Sequence, residues 1–196
     1  MSQPTDPSIL SPLGQPTEYR ADYAPELLFP IPRQLKRDEL GISGATLPFV
    51  GEDLWNAYEV SWLNPKGKPV VALATFRVPA NSPNLIESKS FKLYLNSFNQ
   101  TAFADTASVE TTLVHDLSSA AGAPVSAKIK VLSGRPQVLV GYPAGILLDE
   151  LDISCNTYQP APALLAAVDG EKTEETLYSH LLKSNCLVTG QLDLSR

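Results

Sequence analysis

The chain has 196 residues, of which 43% are hydrophobic and 18% are charged, and this balance is typical of one globular domain or one domain plus part of another. Its formal net charge of −6 argues against direct nucleic-acid binding, because phosphate-backbone affinity comes from clustered Lys and Arg. No apolar run approaches the roughly 20 residues that span a bilayer, and the N-terminus lacks a secretory signal pattern. We therefore expect a cytoplasmic protein without a membrane partner.

The two cysteines, Cys155 and Cys186, lie too far apart for a Cys-x-x-Cys redox motif or a zinc-ligand pair. No metal site is therefore predicted. The spacing alone leaves a disulfide open, but a reducing cytoplasm keeps most thiols free. We expect both side chains to be thiols.

Residues 1–40 form a proline-rich arm, with seven prolines between Pro4 and Pro32. This density forbids long helices and disfavours central strands. The apolar stretch at residues 27–29, followed by Ile31, indicates that the arm packs against the rest of the protein, since a free linker would be more polar.

A β-hairpin is predicted after the arm. Apolar and polar residues alternate over residues 54–63, which is typical of a strand, and the alternation places Trp55 and Trp62 on opposite faces. Residues 64–68 carry turn residues, and residues 70–78 predict the antiparallel partner strand.

Two helices are predicted next. Four aromatic and apolar residues share a stripe with helical spacing, namely Phe91, Tyr94, Leu95 and Phe98. The second helix is expected over residues 108–121, with Glu110 in its first turn, where a carboxylate suits the helix dipole, and Gly122 at its end.

Strand periodicity returns over residues 127–131, and residues 146–153 are apolar enough for a further strand. The predicted order is ββααββ, an α+β fold in which two helices pack on one face of an antiparallel sheet. A Pro- and Ala-rich connector closes this unit, so we assign residues 41–165 to it. Residues 166–196 are too short for a domain of their own, and they either complete the first unit or open a second one.

A first candidate site lies where a loop meets the first helix, at Glu87, Ser88, Lys89 and Lys92. Helix N-termini present backbone N–H groups that attract anions, and the lysines add positive charge, so a phosphate-bearing cofactor would be favoured here. The structural alternative is that Glu87 and Ser88 are ordinary capping residues and that the lysines form a solvated face.

A second candidate site combines Cys186 with Asp193, seven positions later. A thiol can attack an electrophile while a nearby acid protonates the adduct. The structural alternative is a small buried hydrophobic residue and a solvated turn aspartate.

Two segments together carry a family resemblance, IESKSFKLY at residues 86–94 and SNCLVTGQ at residues 184–191. They closely resemble the signature segments of the 7-cyano-7-deazaguanine reductase (QueF) family, in its long, two-module form. The resemblance runs from about residue 11 to the end of the chain and implies the tunnelling fold (T-fold), which agrees with the predicted element order.

The resemblance implies NADPH-dependent reduction of a nitrile on a 7-deazapurine to a primary amine, in queuosine biosynthesis. Thiolate addition converts a nitrile into a thioimide that can accept hydride. By this resemblance Cys186 is the nucleophile and Asp193 the proton donor. Homodimers or larger homo-oligomers are expected on the same grounds.

The first signature segment would bind the ligands. Glu87 would accept hydrogen bonds from the ring N–H and amino group of the base, for which a carboxylate is a natural bidentate acceptor. Ile86 and Ser88 would flank the base, and Ser88 and Lys89 match positions that contact NADPH.

The chain also departs from the family pattern. It reads Gln-Leu-Asp-Leu at residues 191–194, where the family usually reads Gln-Pro-Asp-Trp, and the His-Glu and Arg-Gly pairs of the second module do not follow. We therefore expect a truncated enzyme with little activity alone. Two alternatives stay open: a non-catalytic base-binding or assembly module of the same fold, and pterin chemistry like that of GTP cyclohydrolase, which would need zinc ligands.

Overall fold

The computed structural model describes residues 20–42, 46–132, 141, 143–158, 161–166 and 169–181. The chain divides by its internal contacts into two units, Met1–Pro136 and Gln137–Arg196. The elements of the first unit are, in chain order, β1 (Pro30–Pro32), α1 (Gln34–Glu39), β2 (Glu52–Leu63), β3 (Pro69–Pro79), β4 (Asn84–Ile86), α2 (Ser88–Asn96), α3 (Thr106–Ala121) and β5 (Ser126–Val131). Those of the second are β6 (Ile146–Leu147) and β7 (Leu177–Tyr178).

An antiparallel sheet of order β2-β3-β5 forms the centre of the first unit. The predicted hairpin is confirmed. Its turn is closed by the side-chain oxygen of Asn64, which accepts hydrogen bonds from the backbone N–H groups of Lys66 and Lys68 at 2.9 and 3.0 Å. Gly67 takes a left-handed conformation with φ of 76°, which glycine adopts without steric cost.

A register shift interrupts the pairing of β2 with β3 between Ala57 and Val60. The expectation that Trp55 and Trp62 lie on opposite faces is therefore wrong. Trp62 is buried in the core and Trp55 packs against the same core. An extra residue in a strand reverses the side-chain alternation beyond it, and this change is not visible in the sequence period.

Both α2 and α3 pack on one face of this sheet, where a single core joins helix and strand side chains. The core consists of Val60, Trp62, Ala72, Ala74, Phe76, Val78, Ile86, Phe91, Tyr94, Phe98, Val109, Leu113, Leu117, Ala121, Val125 and Ala127. On the opposite face Leu54, Tyr58 and Val71 are exposed. The predicted α+β class with an antiparallel sheet is confirmed.

The C-terminal end of α3 is as predicted, but its N-terminal end lies two residues before the predicted start. Asp105 precedes the helix and accepts the Ser108 N–H at 2.7 Å, and Gly122 ends it with φ of 69°. Glu110, however, lies beyond the first turn, because α3 begins at Thr106. Its carboxylate instead accepts the backbone N–H of Ile129 in β5 at 2.7 Å. Glu110 thus links helix to sheet and is no dipole residue.

The second unit does not confirm the strand expected over residues 146–153. Only Ile146–Leu147 is strand there, and it pairs in parallel with Leu177–Tyr178. The chain then turns, and the carboxylate of Asp149 accepts hydrogen bonds from the Ser179 hydroxyl at 2.6 Å and the His180 N–H at 2.9 Å. Residues 148–153 therefore do not continue the strand. The exact order ββααββ is not confirmed, because the short β4 lies between the hairpin and α2 and the last predicted strand is reduced to Ile146–Leu147.

The described part of the arm, residues 20–40, contains only short elements, as its prolines predict. They are a 3-10 turn at Pro25–Leu27, the three-residue β1, which pairs antiparallel with β4, and the six-residue α1. Leu27 and Leu28 pack against the core. The prediction that the apolar part of the arm is packed is confirmed.

Candidate functional site

The junction between β4 and α2 carries the first candidate site. Pairing of β1 with β4 sets Ile86 opposite Pro30, and the Ile86 side chain is buried in the core. Glu87 follows in an extended conformation with φ of −67° and ψ of 133°. The helix begins at Ser88. The strand and the helix thus hold Glu87 between two fixed ends.

The carboxylate of Glu87 is buried, with the residue only 4% exposed. One oxygen, Oε1, accepts the Lys89 N–H at 2.7 Å, and the other, Oε2, accepts the Ser90 N–H at 2.7 Å. The Ser88 hydroxyl lies 3.4 Å from Oε1, a long and weak contact. Glu87 therefore caps α2, as the structural alternative requires.

The two capping hydrogen bonds do not use all the acceptor positions of the Glu87 carboxylate. An ionised carboxylate offers about four acceptor positions on its two oxygens, and the two backbone N–H groups take one position on each. Since the Ser88 contact is weak, each oxygen of Glu87 retains capacity for a further donor.

The same geometry corrects the expected anion site. The backbone N–H groups of Lys89 and Ser90 donate to Glu87, so these two groups are not open to a phosphate. The side chains of Ser88 and Lys89 are half-buried and that of Lys92 is exposed. Any phosphate binding would therefore use the hydroxyl and the ammonium groups instead of these two helix amides.

A polar cluster centred on the buried Asp116 lies at the edge of the core, and the sequence patterns did not predict it. Asp116 of α3 is 7% exposed, and its Oδ2 accepts hydrogen bonds from the Tyr23 and Tyr94 hydroxyls, both at 2.6 Å. His115 contacts the other oxygen at 3.0 Å. Burial raises the pKa of both tyrosines well above its ordinary value, and the adjacent Asp116 carboxylate raises it further.

The second candidate pair, Cys186 and Asp193, lies outside the described residues. Cys155 is a free, exposed thiol. Within the described ranges, no three His, Cys, Asp or Glu side chains are grouped to hold a metal ion. No helix in that part of the chain is long and apolar enough to cross a membrane.

Comparison with known protein families shows which family the chain matches. The model of the N-terminal part of the nitrile reductase family, described as 7-cyano-7-deazaguanine-reductase N-term, matches residues 19–129. The chain belongs to this family. The matched range contains the three-stranded sheet up to Ile129, both long helices and the Glu87 site.

Relatives in the family are similar along almost the whole chain. The NADPH-dependent 7-cyano-7-deazaguanine reductase of Dechloromonas aromatica is 71% identical over 96% of this chain and 66% of its own length. That of Aromatoleum aromaticum is 66% identical over 93% of this chain and 65% of its own length. That of Ralstonia nicotianae is 57% identical over 93% of this chain and 67% of its own length. The chain thus spans about two thirds of the length of these relatives.

Proposed function

We propose that this chain takes part in the NADPH-dependent reduction of the nitrile of 7-cyano-7-deazaguanine to 7-aminomethyl-7-deazaguanine, in queuosine biosynthesis. Family membership and the names of the relatives support this reaction. The structural observation that carries it is the buried Glu87 carboxylate, which caps α2 and still retains acceptor capacity.

Glu87 would recognise the base. A ring N–H and an exocyclic amino group present two donors side by side, and a carboxylate accepts such a pair with one oxygen each. A base bound this way would use the remaining acceptor position of Oε2 and replace the weak Ser88 contact on Oε1. Ser88 and the backbone of Ile86, whose side chain is buried in the core, would flank the base.

Ser88 and Lys89 fit the cofactor by their chemistry. They bring a hydroxyl and an ammonium group, both half-buried, to the start of α2, and such groups bind the phosphates and hydroxyls of a dinucleotide. When bound, NADPH would supply the hydride for each of the two reduction steps.

Cys186 and Asp193 would carry the covalent step. The Cys186 thiolate would add to the nitrile carbon, forming a C–S bond as one C–N π bond breaks, and the nitrogen would take a proton from Asp193. The product of this step is a thioimide, whose C=N carbon accepts hydride more readily than a nitrile does.

The modules proposed for this work are the arm of residues 1–40, a base-binding T-fold module of residues 41–165, and the start of the cysteine-bearing module in residues 166–196. We place the reaction in the cytoplasm and expect the working form to be a homodimer or a larger homo-oligomer. Its partner is the small 7-deazapurine, with no direct contact to nucleic acid.

Intact-mass spectrometry tests the covalent step. The purified chain is mixed with 7-cyano-7-deazaguanine without NADPH, and we expect a mass increase equal to one substrate molecule. Cys186→Ala should abolish the adduct. The matched control is Cys155→Ala, which removes the exposed thiol and should leave the adduct unchanged. A folded chain that forms no adduct, or one whose adduct depends on Cys155, would contradict the proposed role of Cys186.

A further inference from the structure

The main chain of Glu87 is held from both sides. Its N–H donates to the carbonyl of Phe29 in the arm at 2.9 Å. Its carbonyl accepts the Ser90 hydroxyl at 2.7 Å and the Phe91 N–H at 3.0 Å. The peptide groups before and after the capping carboxylate are therefore fixed by the arm and by α2 together.

Ser90 joins these two supports. Its hydroxyl is fully buried, and while it donates to the Glu87 carbonyl it accepts the Phe29 N–H at 3.0 Å. Phe29 thus contacts the site with both of its backbone polar groups, its carbonyl receiving the Glu87 N–H and its N–H donating to Ser90. Since each bond restricts the same short turn, the direction of the Glu87 side chain depends on all of them.

We propose that Ser90 and the arm peptide at Phe29 are positioning groups that aim the Glu87 carboxylate at the base. This inference rests on the proposed function, since it concerns the same base. Bidentate recognition requires both oxygens to face the two donors, and a small rotation of the main chain misaligns one of them. Removal of the Ser90 hydroxyl leaves the Phe29 N–H without its acceptor and loosens the Glu87 carbonyl.

The chain provides a matched control in Ser97. This hydroxyl is also fully buried, accepts an arm N–H, that of Ala24, at 3.1 Å, and donates to the carbonyl three residues earlier, that of Tyr94, at 2.6 Å. Ser97 lies at the opposite end of α2 from Glu87. Ser90→Ala and Ser97→Ala therefore remove the same two kinds of hydrogen bond between the arm and α2, one beside Glu87 and one away from it.

The test is binding of 7-cyano-7-deazaguanine to the full chain, measured by isothermal titration calorimetry. We expect Ser90→Ala to raise the Kd about tenfold, the effect of losing one well-placed hydrogen bond. Both Ser90→Ala and Ser97→Ala should lower the melting temperature, and by similar amounts. Ser97→Ala, however, should change the Kd by less than about twofold. Glu87→Ala should abolish measurable binding.

The outcomes separate the two proposals. A wild-type chain that does not bind the base overturns the proposed function and this inference with it. Wild-type binding with an unchanged Kd in Ser90→Ala, or an equal loss in both serine variants, overturns the positioning role alone.

If Ser90→Ala does not fold, hydrogen exchange on the wild-type chain decides the question. Adding the base should slow exchange of the Phe29 and Glu87 amides more than that of the Ala24 amide, which bonds to Ser97. Equal or absent slowing would overturn the inference.

Discussion

Glu87 combines a structural role with a proposed binding role. Its buried carboxylate satisfies two backbone N–H groups at the start of α2, which would otherwise lack partners within the helix. The same bonds fix the orientation of the oxygens. A side chain that already serves as a cap presents its remaining acceptor positions in a defined direction, which lowers the entropic cost of binding a ligand.

Asp116 accepts hydrogen bonds from residues of different parts of the first unit. Two tyrosine hydroxyls donate to one oxygen, and one of them, from Tyr23, belongs to the arm. Hydrogen bonds to a charged group are about twice as strong as those between neutral groups. This carboxylate therefore joins the arm, α2 and α3 at one point.

Asp116→Asn tests this role. The substitution keeps the shape of the side chain but removes its charge, and it should lower the free energy of unfolding by about 1–3 kcal/mol, as measured by urea denaturation. His115→Gln is the control, because the His115 side chain is 81% exposed and its loss should cost less than about 0.5 kcal/mol. Equal effects of the two substitutions would contradict the argument.

The hairpin of β2 and β3 shows what local sequence decides at the scale of an element. Its turn needs one residue with positive φ, and Gly67 supplies it at φ of 76°. A Cβ at this position would have no neighbouring atom within 4 Å. Substitution there is therefore limited by backbone conformation and not by space.

Gly67→Ala should lower the free energy of unfolding by about 1 kcal/mol, because an L-residue is strained in the left-handed region. Gly51→Ala is the matched control. A Cβ at Gly51 would also meet nothing within 4 Å, but Gly51 has no positive φ, and its substitution should be neutral or stabilising by about 0.5 kcal/mol. Chemical denaturation of both variants measures the difference, and a harmless Gly67→Ala would refute the strain argument.

At the scale of the first unit, the arm is part of the fold. The Arg33 guanidinium forms an ion pair with Asp53 of β2 and donates to the Ser82 hydroxyl at 3.0 Å. The backbone N–H of Arg33 donates to the Pro83 carbonyl at 3.0 Å. With the bonds of Tyr23 and Phe29, these contacts spread over the length of the described arm. We therefore expect the arm to unfold together with the unit.

Alkaline pH should weaken this unit. The pKa of both Tyr23 and Tyr94 lies well above the ordinary value of 10.0 because of burial and Asp116. The folded state keeps these two protons where the unfolded state releases them, so stability is fully present below about pH 10 and falls as pH rises above it. Urea denaturation across this range measures the fall.

Variants locate the origin of this pH dependence. Replacing Tyr23 and Tyr94 with Phe removes both titrating groups and should make the fall above about pH 10 shallower. If the double variant follows the wild-type profile, the tyrosines do not cause the loss of stability.

The candidate site shows which features a sequence motif can predict and which it cannot. The segment from Ile86 to Lys89 is recognisable from its residues, and the structure places it at the junction of β4 and α2. Ser90 belongs to the same segment, but the positioning role proposed for it depends on Phe29, which is 61 positions away. Tyr23 and Asp116 are separated by 93 positions. No spacing rule connects residues so far apart in sequence.

The sequence by itself determined the hairpin, both long helices, the α+β class and the family signature, because alternation, helical spacing, turn residues and short motifs are local properties. The tertiary structure decided the bulge that turns Trp55 toward the core, the pairing of Glu110 with β5, and the contacts of the arm with Glu87 and Asp116. Each of these depends on which distant groups meet when the core closes. Packing and the need to satisfy buried polar groups determine these contacts, and neither produces a periodic pattern in the sequence.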